Sequence, residues 1–276
     1  MACPRARWLF VLLSLLLVIC SKDGRAQQSA FDRESYYRAV EYCRGNVSHP
    51  MALSPDGQVL CFDGILAPDL DVSRARDLKE DGLFVVRSPG GNVMSAIALS
   101  DIVRDRHATV VTYDYCFSAC AVFLLIASYQ TYVLRGALVV WHNPVSHDAS
   151  RPYCTTLKLP RDGGPMKLVR GPCVDSTFGD RAAYTGGWPV VTQFFKARAV
   201  DPLFEAPPDS AYVRRIVTNL YTETGVYRDI GWTINPRYYP RLFKTKIFYE
   251  AYPESQNEVD GMLARLHMNW KVIYDP

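Results

Sequence analysis

The sequence contains no apolar run that is long enough to cross a bilayer as a helix. Its longest run, residues 8–20, has 13 positions and is interrupted by Ser14, whereas a membrane-spanning helix needs about 20 apolar residues. A permanent transmembrane helix is therefore disfavoured. The run is better explained as the apolar part of a targeting segment, and an uncleaved N-terminal tether is the alternative.

The residues around this run have the order of a secretory signal peptide. Arg5 and Arg7 precede it, and Gly24 and Ala26 place small side chains three positions and one position before the bond that would be cut. A basic start, a short apolar run and a small-x-small site are typical of such a signal. We expect residues 1–26 to be removed during export.

The mature chain would carry no net charge. The whole sequence has 31 basic and 28 acidic residues, and removing four basic residues and one acidic residue with the signal leaves 27 of each. Binding to nucleic acid relies on clustered Lys and Arg side chains, and the sequence shows no basic stripe. This excludes a nucleic-acid-binding protein. Internal repeats and low-complexity segments are also absent from the sequence.

The cysteines lack the spacing of a zinc site, so we expect no metal. The six that remain after the signal are Cys43, Cys61, Cys116, Cys120, Cys154 and Cys173. Zinc ligands usually come as two closely spaced pairs, and Cys116 with Cys120 has no second pair nearby. An even number of cysteines in an exported chain favours disulfides, and six cysteines allow 15 pairings. We predict that Cys43 pairs with Cys61. We also predict that Cys154 pairs with Cys173, and a bond between Cys116 and Cys120 stays open.

Alternating strand and helix signals predict an α/β fold. Apolar runs rich in β-forming residues predict strands at 59–62, 83–86, 109–113, 132–134 and 137–141, and helical periodicity predicts helices at 93–106 and 119–128. Residues 72–80 alternate charge at helical spacing. A strand–helix–strand succession of this kind forms a parallel sheet covered by helices.

The rest of the chain is divided around this core. We expect a lead-in at 27–55 with one helix near 30–42, the core at 56–150, an insertion or lid at 151–208 and a C-terminal region at 209–276 that completes the domain. The insertion contains Pro, Gly and two cysteines without clear periodicity. The C-terminal region restores helical spacing at 210–221 and is then rich in Tyr and Pro.

Three polar features follow the predicted strands in order. The SPGG turn at 88–91 opens a helix, Ser118 lies between the next strand and helix, and His142 ends a later strand. Open α/β sheets bind ligands at the carboxyl ends of their strands, and adjacent glycines let backbone N–H groups approach a reacting oxygen. Singly, each feature is most simply a turn, a helix cap or a structural histidine. Their order indicates a catalytic site.

This order of motifs resembles the proteolytic subunit of Clp protease. The matching motifs are FVVRSPGGN at 84–92, VVT at 110–112, SA at 118–119 and WHNP at 141–144. The sequence is also similar to a periplasmic branch of the Clp/crotonase superfamily that carries a Cys-x-Ser-Ala-Cys element, here at 116–120. The similarity runs from about residue 59 to residue 144 and resumes near Thr224-Gly225. It implies a ββα superhelix core of the crotonase and Clp-protease type.

The resemblance assigns roles to individual residues. It implies that Ser118 is the nucleophile, that His142 is the base, and that the N–H groups of Gly91 and Ala119 form the oxyanion hole. The separation of 24 residues between Ser118 and His142 is close to that of the family. A second alignment would put Ala119 at the nucleophile position.

The acid of the family has no counterpart in this sequence. The matching region, residues 233–238, contains Asn235 but neither Asp nor Glu, and Asp229 lies nearer Gly225 than the pattern requires. Asn235 and Asp229 are therefore the candidates for the group that orients the imidazole.

Two functions follow from this reading of the sequence. The first is a periplasmic or secreted bacterial serine hydrolase, most simply a peptidase, that acts on a peptide or protein without a cofactor. The second is a non-enzymatic envelope protein that keeps the scaffold, has lost the acid and binds partners. The sequence predicts no nucleic-acid partner and no membrane attachment after signal cleavage, and it is compatible with a homo-oligomer.

Overall fold

The computed structural model describes residues 32–46, 50–142, 153–158, 167–172, 181–200, 213, 215–216 and 230–276. From Tyr36 to Pro276 the chain forms one compact unit, and residues 32–35 belong to a separate N-terminal unit. The predicted signal peptide, parts of the predicted insertion and most of the helical stretch predicted at 210–221 lie outside the described residues. Within the described ranges, no helix has the length and apolar character needed to cross a membrane.

A mostly parallel sheet forms the centre of the fold. Its seven strands among the described residues are β1 Met51–Leu53, β2 Val59–Asp63, β3 Leu83–Ser88, β4 Thr109–Phe117, β5 Gln130–Val133, β6 Leu138–Val140 and β10 Lys246–Tyr249. The order is β1-β2-β3-β4-β5-β10, and β6 pairs with β4 beside β5. Only β1 runs antiparallel to its neighbour among these pairings. The predicted α/β class with a parallel sheet is confirmed.

Strand β4 exchanges one neighbour for another along its length. Its first half, around Val111, pairs with β5, and its second half, around Cys116, pairs with β6. Between the halves β4 bulges against β3, and Asp114 adopts a positive φ of 51°, which Asp tolerates better than most residues. The prediction ended this strand at residue 113, before the polar Asp114. It was too short, because β4 continues to Phe117.

Five helices lie among the described residues. They are α1 Arg33–Asn46, α2 Val93–Asp105, α3 Arg181–Arg198, α4 Tyr239–Leu242 and α5 Gln256–Arg265. Helix α2 begins where Asn92 caps it, since the Asn92 side chain accepts a hydrogen bond from the Ser95 N–H at 3.0 Å. Its apolar face, which includes Leu99 and Val103, is buried against the sheet. The helix predicted at 93–106 is confirmed.

The helix predicted at 119–128 is wrong in type and length. Residues Cys120–Leu124 form one π-helical turn, in which the Leu125 N–H donates to the Cys120 carbonyl at 3.0 Å. The side chains of this segment are mostly buried, so apolar character extends around all its faces and carries little helical periodicity. Similarly, residues 72–80 contain only a short 3₁₀ turn, Ser73–Asp77.

The C-terminal region covers one side of the sheet. Its strands β9 Ile230–Trp232 and β11 Lys271–Ile273 pair in parallel, and α5 packs beside them. A cluster of buried apolar side chains joins α5 and β11 to β4 and β6. Its members are Phe117, Leu138, Val140, Val259, Met262, Leu263 and Val272. In the predicted insertion, the described backbone includes an antiparallel pair, β7 Tyr153–Lys158 and β8 Lys167–Pro172.

Two disulfides lie among the described residues, and they close loops of different length. The predicted Cys43–Cys61 bond is present and ties α1 to β2. A second bond joins Cys116 at the end of β4 to Cys120 in the π-helical turn. In the chain-entropy model, the 18-residue separation of the first contributes about 3 kcal/mol and the four-residue separation of the second about 2 kcal/mol. The predicted Cys154–Cys173 bond involves Cys173, which lies outside the described residues.

Candidate active site

Ser118 occupies a sharp turn at the end of β4. Its φ is 56°, a left-handed conformation that costs a residue with a side chain about 1–2 kcal/mol. The Ser118 N–H donates to the Val140 carbonyl at 3.0 Å, and its carbonyl accepts from the Val122 N–H at 2.9 Å. A serine held in this conformation between a strand and a helical turn is typical of an exposed nucleophile.

His142 meets Ser118 at this turn. The distance between His142 Nε2 and Ser118 Oγ is 2.6 Å, so the two side chains are joined by a hydrogen bond. The two residues to which the resemblance gives the roles of nucleophile and base are therefore in direct contact. It is the side chain of Ser118, rather than that of Ala119, that reaches the imidazole.

A backbone bridge fixes the chain that carries His142. Trp141 and Trp232 exchange both of their N–H and carbonyl groups in an antiparallel bridge, at 2.9 and 2.8 Å. Both indole side chains are buried. The imidazole therefore projects from a backbone that is held on one side by β4, through β6, and on the other by β9.

The ring of Trp270 packs against the imidazole. The ring centroids of Trp270 and His142 are 5.2 Å apart, with an interplanar angle of 75°. The same indole lies 5.6 Å from the ring of Phe117, the residue before Ser118. Trp270 thus contacts His142 itself and Phe117, the residue that precedes Ser118. The sequence offered no signal for this residue, because it lies far from both in the chain and outside any recognisable motif.

The glycine turn after β3 lies directly against Ser118. Gly90 has a φ of 92°, and a Cβ atom at this position would lie 2.6 Å from the Ser118 Cβ and 2.9 Å from the Ala119 nitrogen. No side chain fits in this space, so glycine is required for the close approach. The glycine turn and the Ser118 turn are therefore in close contact.

The turn also sets the direction of the Gly91 N–H. The Leu66 N–H donates to the Gly90 carbonyl at 2.9 Å, and the Leu66 carbonyl accepts from the Asn92 N–H at 2.7 Å. In a parallel pairing of this kind, the residue between the two bonded groups turns its own N–H to the opposite side. The Gly91 N–H is therefore directed away from Leu66. Gly91 is exposed and has a φ of 135°.

An ion-pair network supports the bulge that precedes Ser118. The Arg87 guanidinium donates to both carboxylate oxygens of Asp63 and to Asp114 at 3.0 Å, and Asp114 also accepts from Arg44 at 3.0 Å. The hydrogen bond to Asp63 raises the pKa of Arg87, and burial raises the pKa of the neighbouring Tyr113 to about 12. Arg44 also pairs with Glu41 at 2.9 Å, so each charge in the network has an opposite charge beside it and the network anchors β3 to β4.

Asn235, a candidate for the group that orients the imidazole, is used elsewhere. Its side-chain oxygen accepts from the Arg237 N–H at 3.1 Å and caps the 3₁₀ turn Pro236–Tyr238. Its own N–H donates to Asp275 at 2.9 Å. Because the Trp141–Trp232 bridge is antiparallel, the chain from Trp232 towards Asn235 runs away from His142. The other candidate, Asp229, lies outside the described residues.

Among the residues described, no group of three or more His, Cys, Asp or Glu side chains is placed to hold a metal ion.

No family model matches the sequence, and no curated protein matches it. Among solved structures, the chain is similar to a mutant of ClpP1 from Listeria monocytogenes, with 14% identity and a TM-score of 0.26. This similarity covers 33% of the present chain and 59% of that one, so the chain spans less than two thirds of the length of that neighbour.

A pair of glycine substitutions tests the contact at Gly90. We expect Gly90→Ala to lower the free energy of unfolding by about 1–3 kcal/mol more than Gly136→Ala, because overpacking adds to the cost of a positive φ. Gly136 is the matched control: its φ is 80° and a Cβ there would meet nothing within 4 Å. Urea denaturation of both variants measures the difference. Equal losses would show that Gly90 is not crowded.

Proposed function

We propose that this protein is a serine hydrolase of the Clp-protease type that cleaves peptide bonds. The observation that carries the proposal is the 2.6 Å contact between Ser118 Oγ and His142 Nε2, formed at a strained turn. Serine is a weak nucleophile at neutral pH and needs an adjacent base to remove its proton. A strained, half-exposed serine beside an imidazole meets that requirement.

The proposed reaction uses the site in two steps. Ser118 Oγ attacks the substrate carbonyl while His142 Nε2 takes its proton, and His142 then gives that proton to the leaving amine. Water, activated by the same imidazole, releases the acyl group from Ser118. The negative charge on the substrate oxygen would be stabilised by the N–H groups of Gly91 and Ala119. The contact of Gly90 with the Ser118 turn supports this pairing.

A crotonase and Clp-protease type of core is proposed on the same grounds. The motifs at 84–92 and 116–120 and the residues Trp141 and His142 lie on or directly after the adjacent parallel strands β3, β4 and β6. This arrangement supports the core that the sequence resemblance implies. The proposal of a peptide substrate depends on this resemblance, whereas the proposal of a hydrolase depends on the contact of Ser118 with His142.

We also propose that the protein is exported before it acts. The support is the signal-like N-terminus together with two disulfides, since disulfides persist mainly in oxidising compartments. N-terminal sequencing of protein recovered from the producing cells should begin at Gln27. Material that begins at Met1 and stays with the cytoplasmic fraction would contradict export.

A fluorophosphonate probe tests the proposed chemistry directly. We expect the wild-type protein to be labelled, Ser118→Ala to show no labelling, and His142→Gln to label about 10²-fold more slowly or worse, because general base catalysis contributes that much. Ser73→Ala and His267→Gln are controls, since both residues are exposed and lie outside the site. Labelling that persists in Ser118→Ala would refute the assignment, and a wild type without labelling would favour the binding-protein alternative.

Trp270 should act as a positioning residue through the imidazole. We expect Trp270→Leu to slow labelling by about tenfold or more, because small displacements of a catalytic group are costly, while Trp270→Phe keeps a ring edge and loses less. Tyr129→Leu removes an exposed aromatic residue away from the site and serves as the control. The pH dependence of labelling should change in Trp270→Leu and stay as in the wild type in the control Tyr129→Leu. An unchanged rate and pH profile would assign Trp270 to packing alone.

A further inference from the structure

The Cys116–Cys120 disulfide encloses the proposed nucleophile. Cys116 is the second-last residue of β4, Cys120 is the first residue of the π-helical turn, and Ser118 lies midway between them. The Cα atoms of the two cysteines are 5.2 Å apart. Both cysteines are fully buried, so the covalent bond lies beneath the turn while the serine stays half-exposed above it.

The geometry of Ser118 depends on this enclosure. At a φ of 56° the residue is outside the negative range that side-chain-bearing residues favour. A chain free to relax would rotate about the N–Cα bond, and that rotation would swing Cβ and Oγ away from His142. Two backbone hydrogen bonds hold the Ser118 N–H and carbonyl, but both are weaker than a covalent bond that fixes the span of the turn.

We propose that the Cys116–Cys120 disulfide switches the site on, so that the Ser118–His142 pair is assembled only in the oxidised protein. This inference rests on the proposed hydrolase function. It assigns the two cysteines as positioning residues, which act on the reaction through Ser118. The protein would then be inactive in a reducing compartment and active after export.

The redox step balances with one co-reactant, a thiol–disulfide exchange partner. In the activating direction, the two thiols of Cys116 and Cys120 give two electrons and two protons to the disulfide of a thiol–disulfide exchange partner, which leaves as a dithiol. In the reverse direction, a dithiol reductant cleaves the Cys116–Cys120 bond and is itself oxidised to a disulfide. The exchange proceeds through a mixed disulfide at one of the two sulfur atoms.

The Cys43–Cys61 bond provides a matched control within the same chain. It joins α1 to β2, and its loop does not contain a residue of the site. Because its loop is longer, its loss should destabilise the protein more than loss of the Cys116–Cys120 bond. The proposal therefore predicts opposite effects for the two bonds. Loss of Cys43–Cys61 should lower stability more, and loss of Cys116–Cys120 should lower the labelling rate more.

The experiment compares Cys116→Ser/Cys120→Ser with Cys43→Ser/Cys61→Ser in the full chain. We expect the first double variant to lose about tenfold or more of its fluorophosphonate labelling rate, and the second to keep the wild-type rate despite a larger fall in the unfolding midpoint. Hydrogen exchange gives a readout independent of activity. The Ser118 amide donates to the Val140 carbonyl on β6 and the Val122 amide donates to the Ser118 carbonyl; both should exchange faster in the first variant only.

Several results would overturn the proposal. Wild-type labelling in Cys116→Ser/Cys120→Ser would do so, as would labelling losses that simply follow the stability of the two variants. If the first variant does not fold, reduction and reoxidation of the wild-type protein replaces it, and labelling must fall and return with the Cys116–Cys120 bond. If the wild type itself is not labelled, the hydrolase proposal fails, and unchanged exchange at Ser118 and Val122 then refutes the positioning role separately.

Discussion

The structure depends on the way β4 shares its two edges. One edge pairs with β3 on both sides of a bulge, while the other pairs first with β5 and then with β6. The bulge at Asp114 makes this exchange of partners possible, and the ion pairs with Arg87 and Arg44 hold it. Because β6 joins β4 beyond the bulge, the end of β4 is paired on both sides. That pairing brings Ser118, the glycine turn and His142 to one place.

The other half of the site is supplied by the C-terminal region. The bridge from Trp141 to Trp232 fixes the backbone of His142, and the ring of Trp270 contacts the imidazole from the start of β11. Gly231 makes this packing possible, since a Cβ there would lie 2.4 Å from a Val140 methyl group. Ser118 is thus positioned by the N-terminal part of the sheet, and His142 by both parts.

Local signals in the sequence were sufficient for much of the core. Strands β2 and β3 and helix α2 carry short apolar runs, a turn and a cap within a few residues, so their positions could be predicted. The full length of β4 could not, because a bulge stabilised by distant arginines interrupts its pattern. The π-helical turn at 120–124 lacks a polar face, and β10 pairs with β5 across more than 100 residues. Contacts of that range leave no local pattern, and Trp270 was missed for the same reason.

The bridge between Trp141 and Trp232 also has a consequence for the order in which the protein can be completed. Strand β9 pairs with β11, which ends at Ile273, and the buried Asp275 accepts a hydrogen bond from the backbone that follows β9. Ser118 and His142 are synthesised well before the strands and the aspartate that hold this bridge. A chain that stops before β11 and Asp275 therefore lacks the supports of its histidine.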